Sequence, residues 1–275
     1  MTTTDEIEAV VARLRAAGCV FAEEEAALLV ESAERTGAAL EQMVARRVSG
    51  VPLEHLVGWA EFHGGRVAVA PGVFVPRRRT GFLVDLAADL LSERTVSRPT
   101  VLDLCCGSGA LGLALAAALA EDGVAIDLVA ADIEPAAVAC ARGNLAAYGA
   151  RVYEGDLFAP LPAALRGRVD ILLCNTPYVP TDMIAHMPPE ARDHEPRRAL
   201  DGGPDGLDVL RRVAARASVW LAPGGTLLVE ESEGQAPTAA AILRRHGLSA
   251  HVTDSEEYYA TAVIGTRPET DATAP

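Results

Sequence analysis

Aromatic residues make up only 4% of this chain, so whatever core it forms must be filled mainly by Ala, Leu and Val. No apolar run reaches the ~20 residues that a membrane span requires. The opening Met1-Thr2-Thr3-Thr4-Asp5-Glu6 is polar and acidic, without the basic and apolar stretches of an export signal. Both absences make a cytoplasmic protein with no membrane partner the expectation. The five cysteines (Cys19, Cys105, Cys106, Cys140, Cys174) never fall at C-x-x-C spacing, and the six histidines form no H-x-x-x-H pair. That argues against a zinc site, so no metal is expected, and the cysteines read as small buried residues of a reducing compartment. Cations are short too: 24 Lys plus Arg face 38 Asp plus Glu, a formal net charge of −14. Tight duplex binding needs cations to neutralise phosphates. Nucleic acid is therefore disfavoured as a partner, and the acidity is read first as a solubility feature, then as favouring a basic protein partner.

What the 275 residues do contain is an ordinary globular balance, 50% hydrophobic and 23% charged, enough for one large or two modest domains. Apolar positions 7, 10, 11 and 14 follow helical spacing up to Gly18, and two further helices are expected over Glu23 to Ala33 and Leu40 to Val48. Gly64-Gly65 reads as a hairpin turn before a short strand, Arg66 to Val69. From Thr80 the pattern alternates. Strands are expected at Val101–Leu104, Ile126–Ala131, Arg151–Tyr153, Asp170–Cys174 and Gly225–Glu230. Helices are expected at Phe82–Leu91, Ala110–Ala120, Pro135–Tyr148, Gly206–Leu221 and Ala236–His246, and a closing hairpin over His251–Ile264 turns near Ser255-Glu256-Glu257. Such alternation predicts an α/β fold with a mostly parallel sheet covered on both faces. The expected division is a helical region with a hairpin linker over 1–75, the α/β domain over 76–267 and a disordered polar tail over 268–275.

Four constellations carry chemistry. In Asp103-Leu104-Cys105-Cys106-Gly107-Ser108-Gly109-Ala110-Leu111-Gly112, small residues join a strand to a helix, so backbone N–H groups can approach a ligand. Asp132, followed by Ile133, ends the next strand, where a carboxylate can accept from two ribose hydroxyls. Asp156 and Leu157 follow the third strand and are placed to bond and cover an adenine ring. A ribose-binding carboxylate suits a dinucleotide or S-adenosylmethionine. Asp103 ahead of the turn would repel a pyrophosphate and attract a sulfonium, so the pair Asp103 and Asp132 tips the choice to S-adenosylmethionine. The fourth constellation is Asn175-Thr176-Pro177-Tyr178, directly after an apolar strand, where α/β sheets hold ligands. It reads as a grip for a planar amide or amino group.

This tetrapeptide resembles the Asn-Pro-Pro-Tyr class found in class I methyltransferases that act on planar nitrogen. The closer resemblance is to the protein-(glutamine-N5) methyltransferases of peptide chain release factors. It is carried also by Arg47-Val48-Ser49-Gly50-Val51-Pro52-Leu53-Glu54-His55-Leu56-Val57-Gly58, by Phe74-Val75-Pro76-Arg77-Arg78-Arg79-Thr80, and by Glu195-Pro196-Arg197-Arg198-Ala199-Leu200-Asp201-Gly202-Gly203-Pro204-Asp205-Gly206-Leu207. The resemblance implies a Rossmann-like, S-adenosylmethionine-dependent methyltransferase with a mostly parallel seven-stranded sheet, closed by an antiparallel hairpin. It also implies that the N-terminal helices recognise a protein substrate with an exposed glutamine, a release factor or related translation protein, and that the enzyme works as a monomer. The cofactor site would comprise Asp103, Cys105, Gly107, Gly109, Asp132, Ile133, Asp156, Leu157 and Asn175, and the substrate site Asn175, Thr176, Pro177, Tyr178, Glu195 and Arg77. Departures from the family pattern are Cys105 where Gly is usual, Thr176 where Pro is usual, and Gly81 where an acidic residue is usual. They suggest a divergent paralogue.

The expected reaction is in-line methyl transfer to an amide nitrogen. Asn175 Oδ1 and the Thr176 carbonyl would accept the two substrate N–H bonds, and Tyr178 would stack on the amide plane. Arg77-Arg78-Arg79 reads as a solvated loop, a phosphate clamp or a lid, and Glu230 as a further site wall. Two rival readings use the same residues: a nucleic-acid adenine-N6 methyltransferase, and an inactive cofactor-binding paralogue serving as an interaction module.

Overall fold

The computed structural model describes residues 3–94 and 96–269. Four helices come first: α1 (Thr4–Ala16), α2 (Ala22–Thr36), α3 (Leu40–Val48) and α4 (Leu53–Val57). A capping box starts α1, with Thr3 N donating to Glu6 Oε2 at 2.7 Å and Glu6 N to Thr3 Oγ1 at 3.3 Å. Gly37, in the left-handed conformation, ends α2. Their apolar stripes meet in a small core around Leu14, Ala26, Leu29 and Val44. Arg47 on α3 is buried in this region. Its Nε pairs with Glu25 Oε2 at 2.5 Å, and its Nη1 reaches Glu190, far along the chain.

The hairpin of β1 (Trp59–Phe62) and β2 (Gly65–Ala68) leads to α5 (Gly81–Ser92), β3 (Thr100–Leu104), α6 (Ala110–Glu121), β4 (Asp127–Asp132), α7 (Pro135–Asn144), β5 (Arg151–Glu154) and β6 (Val169–Cys174). Then come two short helices, α8 (Pro189–His194) and α9 (Arg197–Leu200). After them follow α10 (Asp208–Trp220), β7 (Leu221–Glu231), α11 (Ala236–Arg245), β8 (Ser249–Ser255) and β9 (Ala260–Thr266). Seven strands form one sheet in the order β5-β4-β3-β6-β7-β9-β8. It is parallel from β5 through β7 and antiparallel at the β7–β9–β8 edge. Helices α5 and α6 pack on one face, over Val101, Ile171, Leu173 and Leu228. Helices α10 and α11 pack on the other, over Leu102, Leu104, Leu172 and Val229. The chain winds outward through β3, β4 and β5, then returns to lay β6 beside β3. The crevice at the carboxyl ends of β3 and β6 is therefore the switch point of the sheet, where open α/β folds bind ligands. Among the described residues no helix is long and apolar enough to cross a membrane.

Several boundaries differ from expectation. β7 begins at Leu221 rather than Gly225, because Leu221 already pairs with Val169 before a bulge. α7 stops at Asn144, and a 3-10 turn over Ala146–Tyr148 carries the chain to the left-handed Gly149. The closing turn occupies 256–259. The span 181–200 holds a 3-10 helix (Thr181–His186), α8 and α9, none of them expected, each entered through a proline at 180, 188 or 196. Arg267 is tied to the sheet, with its N–H donating to Gly225 O at 2.8 Å and its carbonyl accepting from Gly224 N at 3.0 Å. The tail expected from 268 lies outside the described residues from 270 onward.

Candidate active site

At the end of β3 the backbone turns through Cys105 (φ 57°), Gly107 (φ 54°) and Gly109 (φ 80°) into α6. Cys105 thus holds the left-handed conformation that glycine adopts freely, at a cost of about 1–2 kcal/mol for a side chain with a Cβ. The turn keeps the shape expected of Gly. A Cβ on Gly109 would also lie 3.1 Å from Leu145, so a side chain there needs that neighbour to shift as well as the left-handed backbone. Asn144 clips the turn to the hairpin, with Nδ2 donating to Ser108 O at 2.8 Å and to Ala68 O at 2.9 Å.

Asp132 sits opposite the turn. Its Oδ2 accepts from Gly107 N at 2.8 Å and its Oδ1 from Glu134 N at 2.9 Å. Burial raises its pKa, and the backbone donors from Glu134 and Gly107 oppose that. Each oxygen keeps a further lone pair for a ligand. Asp132, Ile133, Cys105, Gly107, Asp156, Leu157, Arg77 and the whole tetrapeptide Asn175–Tyr178 line one cavity of about 430 Å³. Two ion pairs cross its rim, Arg198 to Glu134 at 3.1 Å and Arg212 on α10 to Asp156.

Three expected site residues stand behind the wall instead. Asp103 faces α6, because strand alternation puts it on the opposite side from Leu102 and Leu104. It is fully buried, and its Oδ2 accepts from Gly112 N at 2.9 Å. Burial pushes its pKa up to about 8, which disfavours the charge a sulfonium would need, and the side chain lies outside the cavity lining. The expectation that its charge selects the cofactor is corrected accordingly. Gly109 supports the turn from outside the cavity lining. Glu195 was expected at the substrate, but both its oxygens are occupied: Oε1 by Val75 N at 3.2 Å and Oε2 by Arg77 Nη2 at 2.6 Å. It anchors the 74–80 loop.

The tetrapeptide is held from three sides. Thr80, itself buried, accepts from Asn175 Nδ2 at 3.5 Å, which leaves Asn175 Oδ1 as the atom free to accept. Tyr178 OH donates to Glu230 Oε1 at 3.1 Å, and Arg79 Nε donates to the same oxygen at 2.8 Å. Burial, then the Glu230 charge, push the Tyr178 phenol well above its usual range. Gln235 Nε2 donates to Tyr178 O and to Asp205 O, both at 2.9 Å. Behind the turn runs the 201–206 segment, which bonds back through Gly202 N to Val179 O at 2.9 Å. A Cβ on Gly202 would lie 2.5 Å from Pro177 O and 2.4 Å from Gly206 O. Neither atom can yield without moving backbone. Gly202→Ala is therefore expected to destabilise the fold by about 2 kcal/mol or more and to displace the tetrapeptide. Urea unfolding checks this, and an unchanged midpoint would show that the contact relaxes.

Sequence reasoning did not place Arg212 or Gln235 at this site, and it left Arg79 in an undivided basic run. In the structure that run separates, with Arg77 on Glu195 and Arg79 on Glu230. Glu230 did have a signal: like Asp132, it is a carboxylate ending an apolar strand. Its neighbour Glu231 faces the other way. It is buried, with neither oxygen hydrogen-bonded, and burial followed by the Glu230 charge pushes its pKa up to about 8. An unfolded Glu titrates near 4.3, so between about pH 4.3 and 8 the folded state holds the extra proton. Stability from this group is fully present below that window and is lost as pH rises through it, by at most about 1.4 kcal/mol per unit. Glu231→Gln is expected to flatten the fall in urea midpoint between pH 5.5 and 8.5. An unaltered slope would assign the fall elsewhere.

The profile of the Methyltransferase small domain matches residues 65–187. The release factor glutamine methyltransferase of Geobacter sulfurreducens is 38% identical over 232 residues, covering 84% of this chain and 78% of that protein. The enzyme of the same name from Deinococcus radiodurans is 42% identical over 211 residues, covering 76% of this chain and 72% of its own. Among solved structures, the hMettl16 catalytic domain in complex with the MAT2A 3′UTR hairpin 6 superimposes with a TM-score of 0.58. It is 14% identical and covers 85% of this chain and 84% of that one, a likeness of fold.

Proposed function

We infer that this chain, which belongs to the release factor glutamine methyltransferase family, methylates the side-chain amide nitrogen of a glutamine in a peptide chain release factor. Its cofactor is S-adenosylmethionine, which supplies a methyl group on a sulfonium. Asp132, the Gly107 turn, Asp156 and Leu157 line a cavity of suitable size, about 430 Å³, within the range typical of ligand sites.

The observation that carries the reading is the state of Asn175. Its Nδ2 points to Thr80 Oγ1, 3.5 Å away, and its Oδ1 is left to accept from a substrate N–H. An amide nitrogen is a poor nucleophile because its lone pair is delocalised. With one N–H on Asn175 Oδ1 and the other on the Thr176 carbonyl, the nitrogen is turned toward the methyl donor, and positive charge developing on it is stabilised. Bound there, S-adenosylmethionine would supply the methyl group and leave as the neutral thioether, and the alkylated nitrogen would lose its proton to solvent. The Tyr178 ring, fixed at its hydroxyl, covers the amide plane. Thr176 supports this as Pro would, since the acceptor is its backbone carbonyl. The N-terminal helices, with their own small core, are assigned to contact the protein substrate.

The test is incubation of the purified protein with labelled S-adenosylmethionine and a bacterial release factor, followed by mass spectrometry. Label on a glutamine of the release factor is expected. Label on nucleic acid, or no label, would overturn the reading.

A further inference from the structure

Glutamine and glutamate side chains have nearly the same shape, so an amide site flanked by a guanidinium would favour the wrong one. A planar guanidinium fork matches a carboxylate and gains a charge-assisted pair with it. Arg79 is such a group. It lines the cavity beside the tetrapeptide and lies 5.8 Å from the Tyr178 ring centre. Its charge is met from behind by Glu230, whose side chain is 4% exposed. Glu230 Oε1 accepts from both Arg79 Nε and Tyr178 OH, while Oε2 is buried without a hydrogen-bond partner. A buried carboxylate with one oxygen unused adds little net stability, and apolar residues in place of the whole Arg79–Glu230 pair would fold as well or better. Its presence points to a task other than stability.

We propose that Glu230 is a specificity-determining positioning residue: by pairing with Arg79 it keeps the acceptor pocket neutral, so that a carboxamide is admitted and the isosteric carboxylate is refused. The inference rests on the glutamine reading above. Glu230 acts through Arg79 and Tyr178 and does not itself touch substrate. With Glu230 neutral, Arg79 presents an unpaired charge to the pocket, and a glutamate at the acceptor position finds a partner there.

The experiment uses a full release factor as substrate and the same protein with its acceptor glutamine changed to glutamate as inhibitor. The wild-type enzyme is expected to methylate the former and to be inhibited only weakly by the latter. In Glu230→Gln, inhibition by the glutamate form should strengthen about tenfold or more, relative to KM for the glutamine form. Added salt should weaken that gain. Thermal unfolding and cofactor affinity of the variant report whether it folds. The double variant Arg79→Met/Glu230→Gln, which leaves no unpaired charge, should return to weak inhibition. A ratio of inhibition constant to KM that is the same in wild type and Glu230→Gln overturns the inference alone. So does a gain that persists in the double variant. Failure of the wild-type enzyme to methylate the glutamine form overturns the glutamine reading, and this inference with it.

Discussion

Replacing Asn175 by Ala is expected to lower kcat by about 10²–10³-fold, the usual loss when a preorganised partner of developing charge is removed. Affinity for S-adenosylmethionine should change little by comparison. The two effects separate because of where the residue sits. Asn175 follows a strand whose six residues are all buried, and it is held on one side by Thr80, so its removal leaves β6 and the glycine turn in place. A substrate amide in the variant keeps the Thr176 carbonyl but loses the second acceptor, and its lone pair is no longer aimed. Steady-state kinetics with a release factor, alongside calorimetric titration with the cofactor, make the comparison. Activity within a few-fold of wild type would show that the acceptor site lies elsewhere in the cavity.

The second large effect is expected at Asp132. Asp132→Ala removes a carboxylate that can meet two ribose hydroxyls, and charge-assisted hydrogen bonds contribute about 1.5–3 kcal/mol each. It also frees Gly107 N and Glu134 N, the two backbone donors that now fix the turn. Cofactor affinity should fall about 100-fold or more on that basis. Asp132→Asn should fall less, because one oxygen still accepts. Calorimetry on both variants reads the order directly. Equal affinities in wild type and Asp132→Ala would refute the ribose role.

Much of this site is legible in the chain because its parts are local. An apolar run that gives way to a polar residue marks a strand end at Asp132 and Asn175, and within one residue of it at Glu230, and the glycines between Cys105 and Ala110 announce the turn. What strand ends do not reveal is which face each side chain takes. The sequence sets Asp103 beside a ligand, and its register on β3 turns it under α6 instead. Partners far apart in sequence are equally silent: Arg79 and Glu230 are 151 residues apart, and only the sheet order brings them together. The helices of the span 181–200 are silent in the sequence for another reason. They are four to six residues long, too short for periodicity to show. The glycines at 202 and 206 carried no local hint that they press against the carbonyls of Pro177 and Tyr178.

The chain contains no lysine, so every one of its 24 cationic side chains is an arginine, and Arg47 is among the most deeply placed. It joins Glu25 on one helix of the N-terminal region to Glu190 on α8, at the head of the segment that continues into the wall behind Tyr178. The helical region is therefore not a detachable adaptor. A chimera that exchanges those helices for a foreign set, with the aim of redirecting the enzyme to another protein, must carry over an arginine at position 47 and its carboxylate partner at 25. A graft lacking them leaves Glu190 without its cation on the approach to the acceptor turn. The exchangeable unit for engineering runs through the interface, not up to it.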